Sequence, residues 1–233
     1  MYQNSDFHLP LDPAAGLREQ KRMATRSRIA AAAAELATAD GLENTGADQI
    51  AAAAEVGRAT FFRYFSSKEH AVAEGMNVRW LNRIVAALDH QPTDYAAAEA
   101  VVAAFAELAH DFDDISGQIR ELATMERSSP ALRAWGLGVY AHYEGVIAGL
   151  ISPRIRDLRQ PDPRPRLIGA LAMSSVRIAL DDWLAHGGSL PDRVQQALRS
   201  ITVVDTGVLH ESTAQSSGVP ASHSGDDIPS TRL

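Results

Sequence analysis

Cysteine is absent from the 233 residues. That excludes disulfides, thiolate nucleophiles and cysteine-ligated zinc or iron–sulfur centres, and gives no sign of an oxidising compartment. Long hydrophobic runs are missing as well. The longest, Ile29–Ala34 and Ile50–Ala54, are alanine-rich and stopped by Glu35 and Glu55, far short of the roughly 20 residues that span a bilayer. The first 13 residues carry acid and no apolar segment of the kind a secretory signal needs. A soluble, cytoplasmic chain with no membrane partner is expected. The phosphate-loop, dinucleotide, zinc-protease and serine-hydrolase signatures are all missing, so neither an enzyme nor a cofactor is expected. The stretch His110-Asp111-Phe112-Asp113-Asp114 offers metal-type ligands, but acidic helix ends are commonplace, and no metal site is assigned there.

Proline is missing between Pro13 and Pro92, which leaves that span free to be helical. β-branched residues are sparse, Ala, Leu, Arg and Glu abundant, and no alternating apolar pattern survives scrutiny. The fold class is therefore all-α, with about nine helices. The first runs from about Gly16 to Ala39 and stops at Gly41. Short helices follow over 47–54 and 58–65, with a glycine-bearing turn at Gly57. Ser67 caps a fourth helix to about Asp89. Further helices are expected from a Thr93 cap to His110, from Asp114 to Arg127, from Pro130 behind a Ser129 cap to Ile151, over 167–186 and over 191–201. The segment 152–166, with four prolines, reads as a loop. The Ser/Thr/Gly/Asp-rich tail from 203 reads as disordered. The resulting division is a leader over 1–17, a unit over 18–89, a second over 90–202, and the tail.

Net charge is −7, which taken alone disfavours nucleic acid as a partner. The charge is unevenly spread, however. Arg18, Lys21, Arg22, Arg26 and Arg28 crowd the start of the first helix, opposed there only by Glu19, and Arg58, Arg63 and Lys68 form a second basic group. Such asymmetry permits DNA binding by one end of an acidic molecule. In 56–65, Phe61 and Phe65 share a helix face with Val56, and that face packs inward. Arg58, Ala59, Thr60, Phe62, Arg63 and Tyr64 are left on the other side. Small side chains there allow close approach to a groove, and Arg and Tyr reach phosphates or base edges. Periodicity alone leaves a plain aromatic core helix equally open.

The run Asp48-Gln49-Ile50-Ala51-Ala52-Ala53-Ala54, then Val56-Gly57-Arg58-Ala59-Thr60-Phe61-Phe62-Arg63-Tyr64-Phe65-Ser66-Ser67-Lys68-Glu69, resembles the DNA-binding domain of the tetracycline-repressor (TetR) family over about residues 21–79. The resemblance implies a helix-turn-helix. It also implies major-groove contacts from Thr60, Phe62, Arg63 and Tyr64, and phosphate contacts from Arg58 and Lys68. Three residues depart from the family pattern. Gly57 and Gly46 stand where Ser or Thr caps are usual, and Phe62 stands for a Tyr whose hydroxyl often meets a phosphate.

The resemblance further implies a ligand-responsive repressor that binds a palindromic double-stranded operator as a homodimer, with dimer contacts on 167–186 and 191–201. Its ligand pocket would lie among Phe105, Leu108, Phe112, Ile119, Leu122, Met125, Trp135, Tyr140, Tyr143 and Ile147. The segments 125–134 and 177–188 are similar to the branch with a mycofactocin-regulator-type C-terminal domain. That branch implies an acyl-CoA-like small-molecule effector, with Arg120, Arg127 or Arg133 meeting its phosphate or carboxylate. A small-molecule-binding or enzymatic helical protein with a vestigial helix-turn-helix is the alternative.

Overall fold

The computed structural model describes residues 16–110, 112–159 and 161–210. Its α-helices are α1 (Leu17–Asp40), α2 (Ala47–Ala53), α3 (Arg58–Tyr64), α4 (Lys68–His90), α5 (Ala97–Leu108), α6 (Phe112–Ser128), α7 (Pro130–Ile151), α8 (Arg164–His186) and α9 (Leu190–His210), with one 3-10 turn at Ser152–Arg154. No strand occurs among the described residues, and none of their helices is long and apolar enough to cross a membrane.

Two apolar cores organise the helices. In the first, alanines of α1 (Ala30, Ala33, Ala34) let α4 come close, while Ile29, Ile50, Phe61 and Phe65 fill the space between α1, α2 and α3. The approach of α1 to α4 is tight: a Cβ on Gly75 would lie 2.0 Å from the carbonyl oxygen of Ala30. Only glycine permits that crossing. The second core joins the C-terminal half of α4 to α5, α7, α8 and α9 through Leu81, Ile84, Val101, Tyr143, Ile147, Met173, Trp183 and Val194. Gly169 plays the corresponding part where α7 meets α8, since a Cβ there would lie 2.4 Å from the Glu144 carbonyl oxygen. Met125 and Leu132, at the corner between α6 and α7, belong to the first core. The C-terminal helices thus rest directly on the N-terminal unit.

Three boundaries differ by three residues or more from those read in the sequence. Thr93 does not cap α5; residues after Pro92 form a turn closed by Tyr95 N–H on the Pro92 carbonyl (3.2 Å), and the helix begins at Ala97. Helix α8 starts at Arg164 rather than Leu167, because Pro165 sits in the first turn, where a missing N–H costs no intrahelical bond. Asp162 holds that start, accepting from the Arg164 N–H at 2.9 Å and from its guanidinium; this pairing takes the carboxyl down to about 2. Helix α9 continues to His210, past the compositional break at 202, and the apolar spacing of Val194, Leu198, Ile201, Val204 and Val208 continues with it. Most of the leader (1–15) and the rest of the tail (211–233) lie outside the described residues.

Candidate nucleic-acid interface and ligand cavity

Helices α2 and α3 meet at a tight turn in which Glu55 takes a left-handed backbone conformation (φ 52°). Gly57 caps α3 with extended backbone and no side-chain hydrogen bond, and a Cβ added there would touch nothing. Gly46 caps α2 in the same way; its N–H donates to Gln49 Oε1 at 2.7 Å, one half of a capping box. The inward face is as the periodicity implied. Phe61 is 0% and Phe65 1% exposed, with ring centroids 6.0 Å apart.

The outward face carries Arg58, Ala59, Phe62 and Arg63, all exposed, Phe62 by 45%. Thr60 and Tyr64 are half-buried, and Tyr64 leans on the core of the N-terminal unit, so neither protrudes as fully as the helical wheel suggests. Arg63 donates to Thr60 Oγ1 at 3.2 Å, and its guanidinium lies 5.8 Å from the Tyr64 ring centroid. Arg58 is paired with Asp48 of α2 and lies over the Phe62 ring. Lys68, in the first turn of α4, donates to the Leu42 carbonyl at 2.9 Å, which uses one of its three donors.

Two cations of the basic group on α1 serve the fold instead. Arg26 makes a bidentate pair with Glu74 of α4 (2.7 and 2.5 Å), donates to the Tyr64 carbonyl at 3.1 Å and lies over the Phe65 ring. Both partners are nearly buried, so this pair ties α1, the end of α3 and α4 at one point. Arg28 donates to the Ala54 carbonyl at the end of α2 (2.9 Å). Sequence reading grouped these two with the surface charge, because nothing local reveals a partner 48 or 26 residues away.

A cavity of about 170 Å³ opens between α4, α5, α6, α7, α8 and α9. Of the residues expected around a ligand, Phe105, Leu108, Phe112, Ile119, Leu122, Tyr140 and Tyr143 line it. Met125, Trp135, Ile147 and Arg127 do not. On α6, Ile115, Ile119, Leu122 and Glu126 share the cavity face, and Met125 turns to the first core. Trp135 stacks edge-on with His70 of α4 (5.4 Å), and Ile147 is fully buried in the second core. Arg127 is engaged by Asp181 and by the Ala123 carbonyl (2.8 Å). Arg120 stacks on Trp183, and Arg133 donates to the Arg127 carbonyl. None of the three arginines lines the cavity.

Sequence reading missed the polar end of the cavity. Asn77 of α4 donates to Glu126 Oε1 at 3.3 Å and to the Ala73 carbonyl. The Tyr143 hydroxyl donates to the backbone carbonyl of Asn77. Burial pushes the Glu126 carboxyl up, against the lowering effects of Asn77 and then Arg127. Burial, with Glu126 beside it, pushes Tyr140 up to about 12. One sequence signal existed for Glu126: it lies four residues after Leu122 and seven after Ile119, on the same stripe. Of the acidic stretch 110–114, residue 111 and the side chains of Asp113 and Asp114 lie outside the described residues.

Residues 29–74 match the family model of bacterial regulatory proteins of the tetR family, and residues 92–204 match the MftR C-terminal domain. The HTH-type transcriptional regulator TcmR of Streptomyces glaucescens is 30% identical over 174 residues, which cover 72% of this chain and 76% of that protein. A Mycobacterium tuberculosis protein named as the mycofactocin biosynthesis transcriptional regulator MftR is 29% identical over 167 residues, 71% of this chain and 82% of its own length. The crystal structure of Thermus thermophilus FadR, a transcriptional repressor in complex with lauroyl-CoA, superposes with a TM-score of 0.55 at 22% identity. It covers 84% of this chain and all of the other, a likeness of fold.

Proposed function

Because the chain belongs to the TetR family of bacterial transcriptional regulators, we propose that it is a homodimeric, effector-responsive repressor that releases a palindromic operator when a small molecule enters the cavity of its C-terminal unit. In this reading 18–89 bind DNA, 90–202 bind effector and partner, and the protein works in the cytoplasm without catalysing a reaction.

The observation that carries the DNA-binding reading is the division of α3 into a buried face of Phe61 and Phe65 and an exposed face of Arg58, Ala59, Phe62 and Arg63. The Arg63 guanidinium supplies donors for a base edge or a phosphate, Thr60 and Tyr64 flank it, and the Phe62 ring suits a thymine methyl. Arg58 and Lys68 stand at the two ends of this surface for phosphates, and Gly46 brings the start of α2 close to the backbone. The Arg58–Asp48 pair is exposed on both sides, so it is weak and a phosphate can replace it.

One helix-turn-helix reads too few bases for specificity, and two half-sites about 34–36 Å apart, or a multiple, require a dimer. Support for the partner surface comes from α8. Leu167 (56% exposed), Leu171 (43%) and Ile178 (51%) form a stripe at helical spacing on a helix that packs on α9. Exposed apolar side chains in register mark an interaction face, and a self-complementary one fits a two-fold dimer.

Helix α4 links effector to operator in this reading. It begins next to α3, is fastened there by Arg26–Glu74, and offers Asn77 to the polar end of the cavity. An effector that prefers one position of α4 by about 1–3 kcal/mol changes operator affinity about 5–150-fold. An acyl-CoA-like effector finds apolar lining for its chain, but no cation on the described cavity wall for its phosphates. A gel shift at stated salt with the DNA upstream of its own gene tests the proposal. Specific retention supports it. Binding no tighter than to random DNA favours a small-molecule-binding or enzymatic protein with a vestigial helix-turn-helix.

A further inference from the structure

Among the 22 described residues that line the cavity, Glu126 alone carries a charge, and no Lys, Arg or His faces in. Its carboxylate makes no ion pair within 4.0 Å among the described residues; its one hydrogen bond there comes from the Asn77 amide at 3.3 Å. A carboxylate has about four acceptor sites, most of which are left for a guest. Gly136 on α7 keeps the space beside it open, since a Cβ there would approach Glu126 Oε2 to 3.4 Å. Tyr140 and Tyr143 of α7 complete this end, and the rest of the lining is aliphatic or aromatic.

We infer that the cavity selects a compact apolar molecule bearing one hydrogen-bond donor, an ammonium or a hydroxyl, which it seats on Glu126, and that it rejects anions. The inference rests on the C-terminal unit being the effector site and adds the ligand's chemical class. An entering carboxylate or phosphate meets a like charge with no cation on the described cavity wall. Arg127, which acts on Glu126 from outside the lining, is already paired with Asp181, and such repulsion is poorly screened in these surroundings. A donor meets an acceptor already desolvated by the fold, and hydrogen bonds to a charged group are the stronger kind. The volume of about 170 Å³ suits a body of about one ring with a short arm; an engineered apolar cavity of about 150 Å³ holds benzene. The donor would lie beside Asn77, so occupancy is felt directly by α4.

The test uses three probes of one shape, 2-phenylethylamine, 2-phenylethanol and phenylacetate. Binding to the full chain is read by calorimetry near pH 7.5 without DNA. The expected order is amine, then alcohol, with phenylacetate at least about tenfold weaker than the alcohol. Glu126→Gln should weaken the amine about tenfold or more and bring phenylacetate to within a few-fold of it. Glu126→Leu, which removes the acceptor but keeps the bulk, should abolish the preference for a donor. Thermal melts of both variants check that they fold. Equal binding of phenylacetate and alcohol by the parent overturns the inference. So does an unchanged amine affinity in Glu126→Gln, or no binding of any probe at millimolar concentration. A gel shift with no probe present is unaffected by each of these outcomes, so the DNA-binding reading stands or falls separately.

Discussion

Phe61 has no exposed surface and touches both Phe62 and Phe65, so truncation leaves a void that α1 and α2 cannot fill. Phe61→Ala should cost about 3–5 kcal/mol in denaturant unfolding, whereas Phe62→Ala, on the outward side of the same helix, should cost well under half of that. Glu126 gives a pH signature. Its carboxyl is raised in the fold above the ordinary value of 4.5, mainly by burial. The folded state therefore holds its proton more tightly than the unfolded chain. The associated stability is fully present below the unfolded value and is lost as pH rises through the folded one. Facing groups are Asn77 on α4, Arg127 on α6 and Tyr140 and Tyr143 on α7, with Arg177 and Asp181 of α8 acting on Tyr140. Glu126→Gln should raise the melting temperature at pH 7–8 and leave it nearly unchanged near pH 4; a parent and variant that differ equally at both ends would contradict the assignment. Much of this scale was legible in the sequence. Phe61 and Phe65 at i and i+4 announce a buried face. Arg26 and Arg28 do not, because their partners Glu74 and the Ala54 carbonyl are brought to them by the helix packing.

Among the helices, α4 carries both halves of the account, and its crossing with α1 is held by a contact that only a missing side chain allows. Gly75→Ala should destabilise the protein by at least the upper part of the usual overpacking range of about 1–3 kcal/mol, since the obstacle is the backbone oxygen of Ala30. Chemical denaturation reads this directly. The alanine-rich α1 and α4 hide such positions in the sequence, where one more small residue stands out little; the same holds for Gly169. Helix existence and type followed from proline spacing and apolar period, and so did the caps at Ser67 and Ser129, which accept from His70 and Leu132. The starts of α5 and α8 did not, because a proline can either break a helix or open one, and the choice rests on how Pro92 and Asp162 close their turns. At the edge of α2, Asp48 holds Arg58. Asp48→Ala should tighten DNA binding about two- to fivefold by freeing the guanidinium, in line with an exposed pair of about 0.2–1 kcal/mol. Unchanged affinity in an anisotropy titration would remove Arg58 from the phosphate contacts.

As a whole the molecule is acidic, and in the proposed reading one small face of each of two copies binds the polyanion. Leu171 and Ile178 belong to the surface proposed to join the copies. Leu171→Glu should shift sedimentation from dimer to monomer and weaken operator binding together, since each monomer then holds a single half-site. The family resemblance carried that expectation from the sequence. The cavity was half legible: the apolar residues on α5–α7 were, and the Asn77–Glu126 end was not, because it forms only where α4 passes α6. The most direct test of the central claim, that the outward face of α3 reads a duplex, is a salt titration of binding to upstream and to random DNA. It compares the parent with Arg63→Ala and Lys68→Ala. Arg63→Ala should lose about 1–3 kcal/mol of specific binding and much of its discrimination. Lys68→Ala should weaken both duplexes alike and lower the salt slope by about one. Two variants with the parent's affinity, discrimination and slope would contradict it.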